Sequence, residues 1–590
     1  MITHTLSPEP KAHYWHITLT FTQNAATSAV LKLANWVPGS YTIRDFARHI
    51  VEIHAEHNGR PAALRQTAKN TWQTEALEGE WRIRYTVYAY DLSVRASYLT
   101  AERGFFDGAC LLFALEGRLN ETQTLVLENL PENWQTATTL PAVGKNTFQT
   151  ASYGELIDHP IELGYIETIA FQAHGIPHRI VLSGHYPDFD RQRLRDDVKR
   201  ICETQLALFP APSPFAEYLF LLHLGDNLYG GLEHRSSTAL HADRNSLPPH
   251  GLTDANPAYT ELLGLFSHEY FHAWNVKSVK PAAFAPYNLE RENHTEQLWA
   301  FEGITAYYDD LILARSRVIP PENYLTLLAK NITRVRQNKG RLKQTLAQSS
   351  YTAWHKYYKA DENAPNALVS YYQQGALAAL CLDLLIRQKS SGAHSLDTVM
   401  RQLYRDWLAT QRGIEEQQWQ TRCQEITGLD LADFFQMALY TTDELPLADC
   451  LHTVGIGLQY APLPRSHGGG LIGAPIAPPE PAADLGARFT QKTDHAVLTH
   501  ILNGGSAENA ALCPQDKITA VNGRACTNLA ALLADSRPDD IWQIHYFRHG
   551  ILHQTVLTLQ AAAAETALLY IEDEDKLRRW LLGTVWQKAV

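Results

Sequence analysis

The segment ELLGLFSHEYFHAWN, residues 261–275, is the most informative part of this chain. Its turns before the first histidine are apolar and predict a buried helix. Residues four positions apart share one face of a helix, so His268 and His272 can present two imidazoles to one metal ion. Glu269, about 100° further round the helix, can reach a water on that metal. The alternative is a pair of satisfied core histidines beside a surface glutamate.

A second segment, WAFEGIT at residues 299–305, supplies a third candidate ligand. A helix is predicted over roughly 296–316, ending before two prolines. Within it, Glu302 is flanked by apolar residues. A carboxylate there would complete a His2Glu set and leave the fourth tetrahedral position to water, as a catalytic zinc site requires. The alternative for Glu302 is a carboxylate in the first helical turn that the helix dipole stabilises.

Composition excludes several other classes of protein. The chain length of 590 residues predicts roughly three to five domains, and a composition of 45% hydrophobic and 19% charged residues predicts that most of the chain folds. A net charge of -12 without a polybasic run argues against nucleic acid as a partner. The longest apolar stretch, residues 376–386, is shorter than the roughly 18 residues that cross a bilayer, so we predict no membrane association.

The cysteines point to a reducing compartment. All seven are widely scattered and none forms a C-x-x-C pair, which favours reduced thiols over a disulfide framework. The first residues contain no basic segment followed by an apolar one, as a secretory signal would. We therefore expect a cytoplasmic protein.

The sequence pattern changes along the chain and predicts five parts. Residues 1–170 alternate short β-type runs with turns and form a β-rich domain. Residues 171–450 are mainly helical after a strand-like start. Residues 451–484 contain a strand and a Pro- and Gly-rich linker, residues 485–560 form a third domain, and residues 561–590 form a helical tail.

The two candidate metal segments resemble the glycyl aminopeptidase family of PDZ-containing gluzincin metallopeptidases. HEYFHAWNVK (268–277) is similar to the family's zinc helix, and WAFEGITAYYDDLIL (299–313) is similar to its third-ligand helix. WVPGSYTIRDFARHI (36–50) and YGELIDHPIELG (153–164) are also similar to that family. The resemblance implies a multidomain α+β fold with an N-terminal, sandwich-like β domain, a thermolysin-like catalytic domain that is mainly α, and a C-terminal PDZ-like domain.

The segment YGGLEH, residues 229–234, is a candidate substrate-binding loop. Gly230 and Gly231 would let the backbone lie close to an extended peptide, while Glu233 projects into the cleft. The segment resembles the exopeptidase loop of related aminopeptidases, whose glutamate binds the free substrate amine. The alternative is a turn with a solvated glutamate.

The segment YYQQG, residues 371–375, is similar to the Tyr-x-Lys-Gly element of gluzincin aminopeptidases. The resemblance assigns the hydroxyl that stabilises the oxyanion to Tyr372. Gln374 stands where lysine is usual, and Tyr371 is an immediate rival. An ordinary aromatic core position is the alternative.

Residues 495–523 look like the core of a PDZ domain, a fold that binds the carboxyl ends of chains through backbone amides. Residues 484–489 are the candidate carboxylate loop. Gln515 replaces the glycine that is usual before Asp516, so both a peptide-binding domain and a purely structural one stay open.

Together these observations predict a zinc-dependent aminopeptidase for peptides with a free N-terminus. One Zn2+ per chain would be bound by His268, His272 and Glu302, with Glu269 as general base. The resemblance suggests small first residues, Gly and Ala. Two alternatives are an endopeptidase that collects substrate tails with its PDZ-like domain, and a non-catalytic PDZ scaffold with a structural zinc.

Overall fold

The structure is a computed structural model in which the chain forms two units. The first unit comprises residues 1–293 and 403–415, and the second comprises residues 294–402 and 416–590. The residues described are 2–463, 469–476 and 480–582. Among them we find no helix with the length and apolar character needed to cross a lipid bilayer.

The N-terminal part of the first unit is β-rich because its strands bury every second side chain. In the strand Tyr14–Gln23, Trp15, Ile17, Leu19 and Phe21 are buried and the intervening residues are more exposed. The eight-stranded sheet contains, in spatial order, Ala142–Gly144, Thr147–Thr150, Gln123–Leu127, Ile2–Glu9, Tyr14–Gln23, Gly79–Tyr88, Ile50–His57 and Arg60–Ala62. One four-stranded sheet contains Gln135–Ala137, Ile161–Gly164, Arg103–Phe106 and Ser97–Leu99, and another contains Ala114–Leu115, Val30–Lys32, Thr71–Thr74 and Leu64–Ala68. The predicted N-terminal β-rich domain is confirmed.

A mixed five-stranded sheet follows in the same unit. Its strands are, in spatial order, Glu167–Ala173, Ile176–Gly184, Tyr218–Gly225, Ser237–Asp243 and Tyr229–Glu233. The last of these, which we call the edge strand, runs antiparallel to Ser237–Asp243 and pairs Gly231 with Leu240. The helices of this unit are Gly108–Leu111, Tyr153–Leu156, Arg191–Leu208 and Pro257–Phe271, and a further helix, Leu396–Thr410, contains the boundary at residue 403.

The helix Pro257–Phe271, which we call the HExxH helix, carries the motif first identified in the sequence. The Asn256 side chain caps it by accepting a hydrogen bond from the Tyr259 N–H, and proline at the first position has the backbone angle that a helix needs. His272 follows the last helical residue with φ -60° and ψ -20°, which are still helical angles. His272 therefore lies on the same face as His268, as a four-residue spacing on a helix requires.

The second unit is mainly helical over residues 299–453 and contains its sheets over residues 456–571, and its last described element is the helix Glu574–Leu582. Its helices are Trp299–Gly303, Ile304–Arg315, Pro321–Gln337, Leu346–Tyr351, Ala364–Ala367, Gln373–Lys389, Gln418–Thr427, Ala432–Tyr440, Leu447–Thr453, Ser506–Asn509, Leu529–Ala534 and Glu574–Leu582. Trp299–Gly303 is a π-helical turn, so the predicted helix over 296–316 starts later than expected and with a wider first turn.

Two glycines explain how the helices around Glu302 approach each other. A Cβ placed on Gly303 would stand 2.6 Å from the Gly375 Cα, and one on Gly375 would stand 2.9 Å from the Gly303 Cα. The start of the helix Gln373–Lys389 therefore lies directly against the backbone of the π turn. Only glycine at both positions permits this approach.

A buried ion pair ties the helix Ile304–Arg315 to the helix Leu396–Thr410. Arg315 Nη1 donates to both carboxylate oxygens of Asp397, at 3.0 and 3.2 Å, and the Tyr308 hydroxyl donates to Asp397 at 2.7 Å. Burial on its own would raise the pKa of Asp397, but the positive charges of Arg315 and Arg387 lower it to about 2.

Residues 483–561 form the C-terminal sheet domain. Its main sheet contains Ala487–Gln491, Ala496–Ile501, Lys517–Val521, Ile541–Arg548 and Ile551–Thr558, with Arg524–Ala525 paired to the third strand, and Ala483–Asp484 pairs with Gln560–Ala561. Its own core includes Leu498, Ile518, Ile544 and Leu557, each at most 1% exposed.

The structure differs from the prediction of a helical tail over 561–590. Thr566–Ile571 is a strand that pairs with Ile456–Ala461 and with Leu471–Ile472, and only Glu574–Leu582 is helical among the described residues. A short apolar run of this kind is compatible with a buried strand and with a buried helix, and here the available partner strand decides. Residues 583–590, and residues 464–468 and 477–479 of the predicted linker, lie outside the described part of the chain.

Candidate active site

The two histidines of the HExxH helix present their ring nitrogens to each other. His272 Nε2 and His268 Nε2 lie 3.1 Å apart. His272 Nδ1 lies 2.8 Å from the Asn275 carbonyl oxygen, which can only accept, so Nδ1 carries the proton and Nε2 has the lone pair. Two nitrogens bound at 2.0–2.1 Å to one tetrahedral zinc ion would lie about 3.3–3.4 Å apart. The pair therefore fits a zinc ion with little rearrangement.

Glu269 lies beside this pair in a site that needs a cation or a proton donor. The residue is 5% exposed, and its Oε2 atom has no hydrogen-bond partner among the described residues. Burial raises the pKa of Glu269 to about 7, against the lowering effect of the His268 and His272 charges, and the negative charge of Glu233 adds to the increase. A buried carboxylate of this kind can accept and release a proton near neutral pH.

The backbone of the edge strand is in close contact with the Glu269 side chain. A Cβ on Gly231 would overlap the carboxylate of Glu269 and would stand 2.6 Å from its Cγ. Arg95 Nη2 donates a hydrogen bond to the Gly231 carbonyl oxygen at 2.7 Å. Because the strand lies at the edge of its sheet, it can receive an extended peptide next to Glu269.

Glu233 ends the edge strand and is 4% exposed, so it is not the solvated turn residue of the alternative interpretation. Glu233, Glu269 and His272 each place a ligand atom within 4.8 Å of the other two. Gly39, at φ 92°, leaves room for the Glu233 carboxylate, since a Cβ there would stand 2.5 Å from Oε1. These contacts bring the predicted amine anchor next to the predicted general base.

The buried Lys277 ammonium group offsets the negative charges of Asp158 and Glu233. Lys277 Nζ donates to Asp158 Oδ1 at 2.7 Å, and His234 Nδ1 lies 3.4 Å from the same oxygen. Burial on its own would lower the pKa of Lys277, but the negative charges of Asp158 and Glu233 raise it above its usual value. Lys277 therefore stays protonated and attracts the buried Glu233 carboxylate.

In the second unit, Glu302 and Tyr372 lie near each other. Glu302 is 2% exposed in the π turn. Burial raises the pKa of Tyr372 well above its usual value, and the negative charge of Glu302 raises it further. The Tyr372 and Tyr358 hydroxyls lie 2.8 Å apart, and the Tyr371 hydroxyl donates to Tyr358 at 3.0 Å. Tyr371 is fully buried, whereas Tyr372 is partly exposed.

Two residues that contact the predicted site residues were not themselves predicted from the sequence. Arg95 and Gly39 were not predicted as site residues. Gly39 lies in a segment quoted for its family resemblance, whereas Arg95 had no signal, because its contact with Gly231 joins positions 136 residues apart.

Comparison with known proteins identified two matching family models and several similar solved structures. Residues 4–165 match the Peptidase M61 N-terminal domain, and residues 261–378 match the M61 glycyl aminopeptidase family model. A crystal structure of an aminopeptidase N family protein from Idiomarina loihiensis is 38% identical, with a TM-score of 0.94, over 98% of this chain and 100% of that one. An M1 zinc metallopeptidase from Deinococcus radiodurans is 15% identical, with a TM-score of 0.48, over 76% of this chain and 94% of that one. Among curated proteins, none matched the sequence.

Proposed function

Because the chain belongs to the M61 glycyl aminopeptidase family and is thereby a metallopeptidase, we propose that it is a zinc-dependent aminopeptidase that hydrolyses the first peptide bond of peptides with a free N-terminus. One observation above all supports this proposal. The buried Glu269 carboxylate lies between a pair of facing imidazoles and the backbone of an edge strand, and the strand ends at the buried Glu233.

We propose that His268, His272 and Glu302 hold one zinc ion per chain. Two nitrogens and one carboxylate are a donor set that zinc accepts, with the fourth position left for water. The 3.1 Å separation of the histidine nitrogens supports the first two ligands. Glu302 is a buried carboxylate within the part of the chain that matches the family model. When bound, zinc would supply Lewis acidity at the scissile carbonyl.

The protein groups would divide the remaining chemistry. Glu269 takes a proton from the attacking water and passes it to the leaving amine. Tyr372 donates a hydrogen bond to the carbonyl oxygen as negative charge develops there. Arg95 holds the Gly231 carbonyl, so the edge strand keeps its position while the peptide backbone lies along it.

Glu233 would make the reaction an exopeptidase reaction. Its carboxylate forms a charge-assisted hydrogen bond with a substrate ammonium group, which an internal or acetylated peptide nitrogen cannot form. Its 4% exposure strengthens that interaction, because little water competes for the carboxylate. The family description, glycyl aminopeptidase, supports the part of the proposed small-residue preference that concerns Gly.

We propose a structural role for the C-terminal sheet domain, in a PDZ-like arrangement. The Gly486 N–H in the candidate carboxylate loop already donates to Asp484 Oδ1 at 3.2 Å. Gln515 adopts φ 72°, a conformation that accounts for the usual preference for glycine there. The bond at Gly486 removes a donor that a peptide carboxylate would need.

Initial rates on Gly- and Ala-anilides and on their N-acetylated counterparts, with and without a chelator, test the proposal. We expect chelator-sensitive cleavage of the free amines only. Glu269→Gln should retain bound zinc and lose about 10²- to 10⁴-fold in turnover. Equal cleavage of the acetylated substrates would favour an endopeptidase, and no cleavage by zinc-loaded protein would favour a non-catalytic scaffold.

A further inference from the structure

The free side of the edge strand is occupied by an arginine, Arg95. The His234 N–H donates to the Ser237 carbonyl oxygen at 2.9 Å, so hydrogen-bonded and non-hydrogen-bonded residue pairs alternate along the strand from that point. This alternation directs the N–H and carbonyl groups of Gly231 away from the neighbouring strand. Arg95 Nη2 donates to that outward carbonyl oxygen at 2.7 Å. Arg95 therefore lies on the side of the strand where a peptide would pair.

The Arg95 guanidinium extends from Gly231 towards Gly230. A Cβ placed on Gly230 would stand 3.6 Å from Arg95 Nη1. Apart from the bond to Gly231, the guanidinium donates to no residue in the described part of the chain. The backbone of Arg95 is held, because its N–H donates to Ser93 Oγ at 3.1 Å and its carbonyl oxygen accepts from Cys110 Sγ at 3.6 Å. The side chain thus offers further N–H donors from a fixed position.

The positive charge of Arg95 has no ion-pair partner among the residues that the structure describes. A second arginine, Arg44, lies near it and donates to Ser40 Oγ at 3.0 Å. Burial lowers the pKa of Arg44, and the positive charge of Arg95 lowers it further, against a smaller opposite effect of Asp91. Two positive charges thus lie close together, one of them in contact with the edge strand. An anionic group beside Arg95 would be stabilised by both.

The spacing along the edge strand from Glu233 to Arg95 fits one class of substrate. Glu233 is the proposed amine anchor and Glu269, which lies against Gly231, is the proposed base, so a bound peptide runs antiparallel to the strand. Glu233 and Gly231 are two residues apart, which is about 7 Å along a strand. An extended dipeptide has about the same length from its amine to its carboxylate. The carboxylate of a dipeptide would therefore lie at the Arg95 guanidinium.

We propose that Arg95 binds the C-terminal carboxylate of a dipeptide substrate while Glu233 holds its amine. A planar guanidinium can donate two parallel, charge-assisted hydrogen bonds to a carboxylate, whereas a neutral amide or an internal peptide carbonyl cannot receive such a pair. The substrate class is thereby dipeptides with a free carboxylate. This inference rests on the proposed function, because it takes the position of the amine from Glu233.

Longer peptides meet the same side chain. Beyond the second residue, their backbone would continue along Gly230, where Arg95 Nη1 lies. Their C-terminal carboxylate would lie at least one residue, about 3.4 Å, further along the strand than that of a dipeptide. A longer peptide therefore loses the ion pair and must leave the strand or displace Arg95.

Initial rates of the full-length, zinc-loaded protein on Gly-Ala, its C-terminal amide and Gly-Ala-Ala-Ala test the proposal. All three carry the amine that Glu233 would bind. We expect kcat/KM for Gly-Ala to exceed the other two by roughly tenfold or more, because only its carboxylate reaches Arg95. Arg95→Gln should reduce that ratio to within about twofold of one, since glutamine keeps an N–H donor but no charge. Arg95→Lys keeps the charge and should retain part of the ratio.

Arg65→Gln is the matched control, because Arg65 is an exposed arginine on the strand Leu64–Ala68 of the same unit. It should keep the wild-type ratio. Equal wild-type rates on Gly-Ala and its amide would overturn the proposal, and a tetrapeptide cleaved as fast as Gly-Ala would overturn the preference for dipeptides. Arg95→Gln rates that fall equally on all three substrates would show that Arg95 positions the edge strand without binding the carboxylate.

Binding without turnover separates this proposal from the proposed function. In zinc-loaded Glu269→Gln, Gly-Ala should raise the unfolding midpoint more than its amide does, and adding Arg95→Gln should remove the difference. A difference that survives in the double variant would place the carboxylate elsewhere and overturn the proposal. If the wild type cleaves no peptide but the difference depends on Arg95, the aminopeptidase reaction fails and the carboxylate site stands. Cleavage of free amines without preference for the free acid refutes the carboxylate site alone.

Discussion

Replacing Gly231 by alanine tests the geometry of the proposed base directly. A Cβ at this position would stand 2.6 Å from Glu269 Cγ, whereas real Cβ atoms essentially never approach closer than 3.0 Å, so Cγ must retreat by at least 0.4 Å. The carboxylate lies closer to the new carbon and must retreat further, by roughly 1 Å. Misplacement of a catalytic group by that distance costs about 100-fold in rate, or about 2.7 kcal/mol of transition-state stabilisation.

The assay is kcat on Ala-anilide, with bound zinc measured in the same preparation. Zinc content should be unchanged, because Gly231→Ala affects neither histidine. Gly154→Ala is the matched control: a Cβ there would meet nothing within 4 Å, and we expect wild-type turnover. A Gly231→Ala enzyme with a kcat within threefold of the wild type would show that the position of Glu269 does not limit catalysis.

Three other substitutions give separate expectations. Gly39→Ala should displace Glu233 and reduce the preference for free over acetylated anilides by roughly 10- to 100-fold, and an unchanged preference would contradict the amine anchor. Tyr372→Phe should lower kcat by about 10²- to 10³-fold and Tyr371→Phe by much less; the opposite order would reassign the oxyanion donor. Because the pKa of Asp397 is depressed to about 2, its contribution to stability is complete above the unfolded value of about 3.9 and is lost as pH falls towards 2. Unfolding of the wild type and of Asp397→Asn should therefore differ above about pH 4 by roughly 3 kcal/mol and converge towards pH 2, and a difference independent of pH would rule out the ion pair as its source.

The sequence predicts those parts of the site that depend on local geometry. His268 and His272 could be identified because a four-residue spacing on a helix leads to one face whatever the rest of the fold does. Glu269 followed from the same periodicity. The N-terminal β-rich domain was predictable for a similar reason, since alternation of buried and exposed residues is a local property of a strand.

The features of the site and fold that the sequence did not predict depend on contacts between distant parts of the chain. Gly39 and Arg95 contact Glu233 and Gly231 from more than one hundred residues earlier in the chain, and only Gly39 lies in a segment that resembles the family. The strand Thr566–Ile571 was predicted as helix because its pairing partner, Ile456–Ala461, lies more than one hundred residues away. The sequence predicted a helix around Glu302 but not its π turn, in which Gly303 lies directly against the backbone of Gly375 from a distant part of the chain.

The close approach of Gly303 and Gly375 has a consequence for how this half of the protein responds to change. Their backbones are in direct contact, with no side chain between them. A change of side-chain rotamer therefore cannot compensate for a movement of either backbone. The separation of the Glu302 and Tyr372 backbones is accordingly set by this main-chain contact. Neither glycine carries a functional group, yet their contact holds the backbone of the proposed zinc ligand Glu302 near that of the proposed oxyanion donor Tyr372.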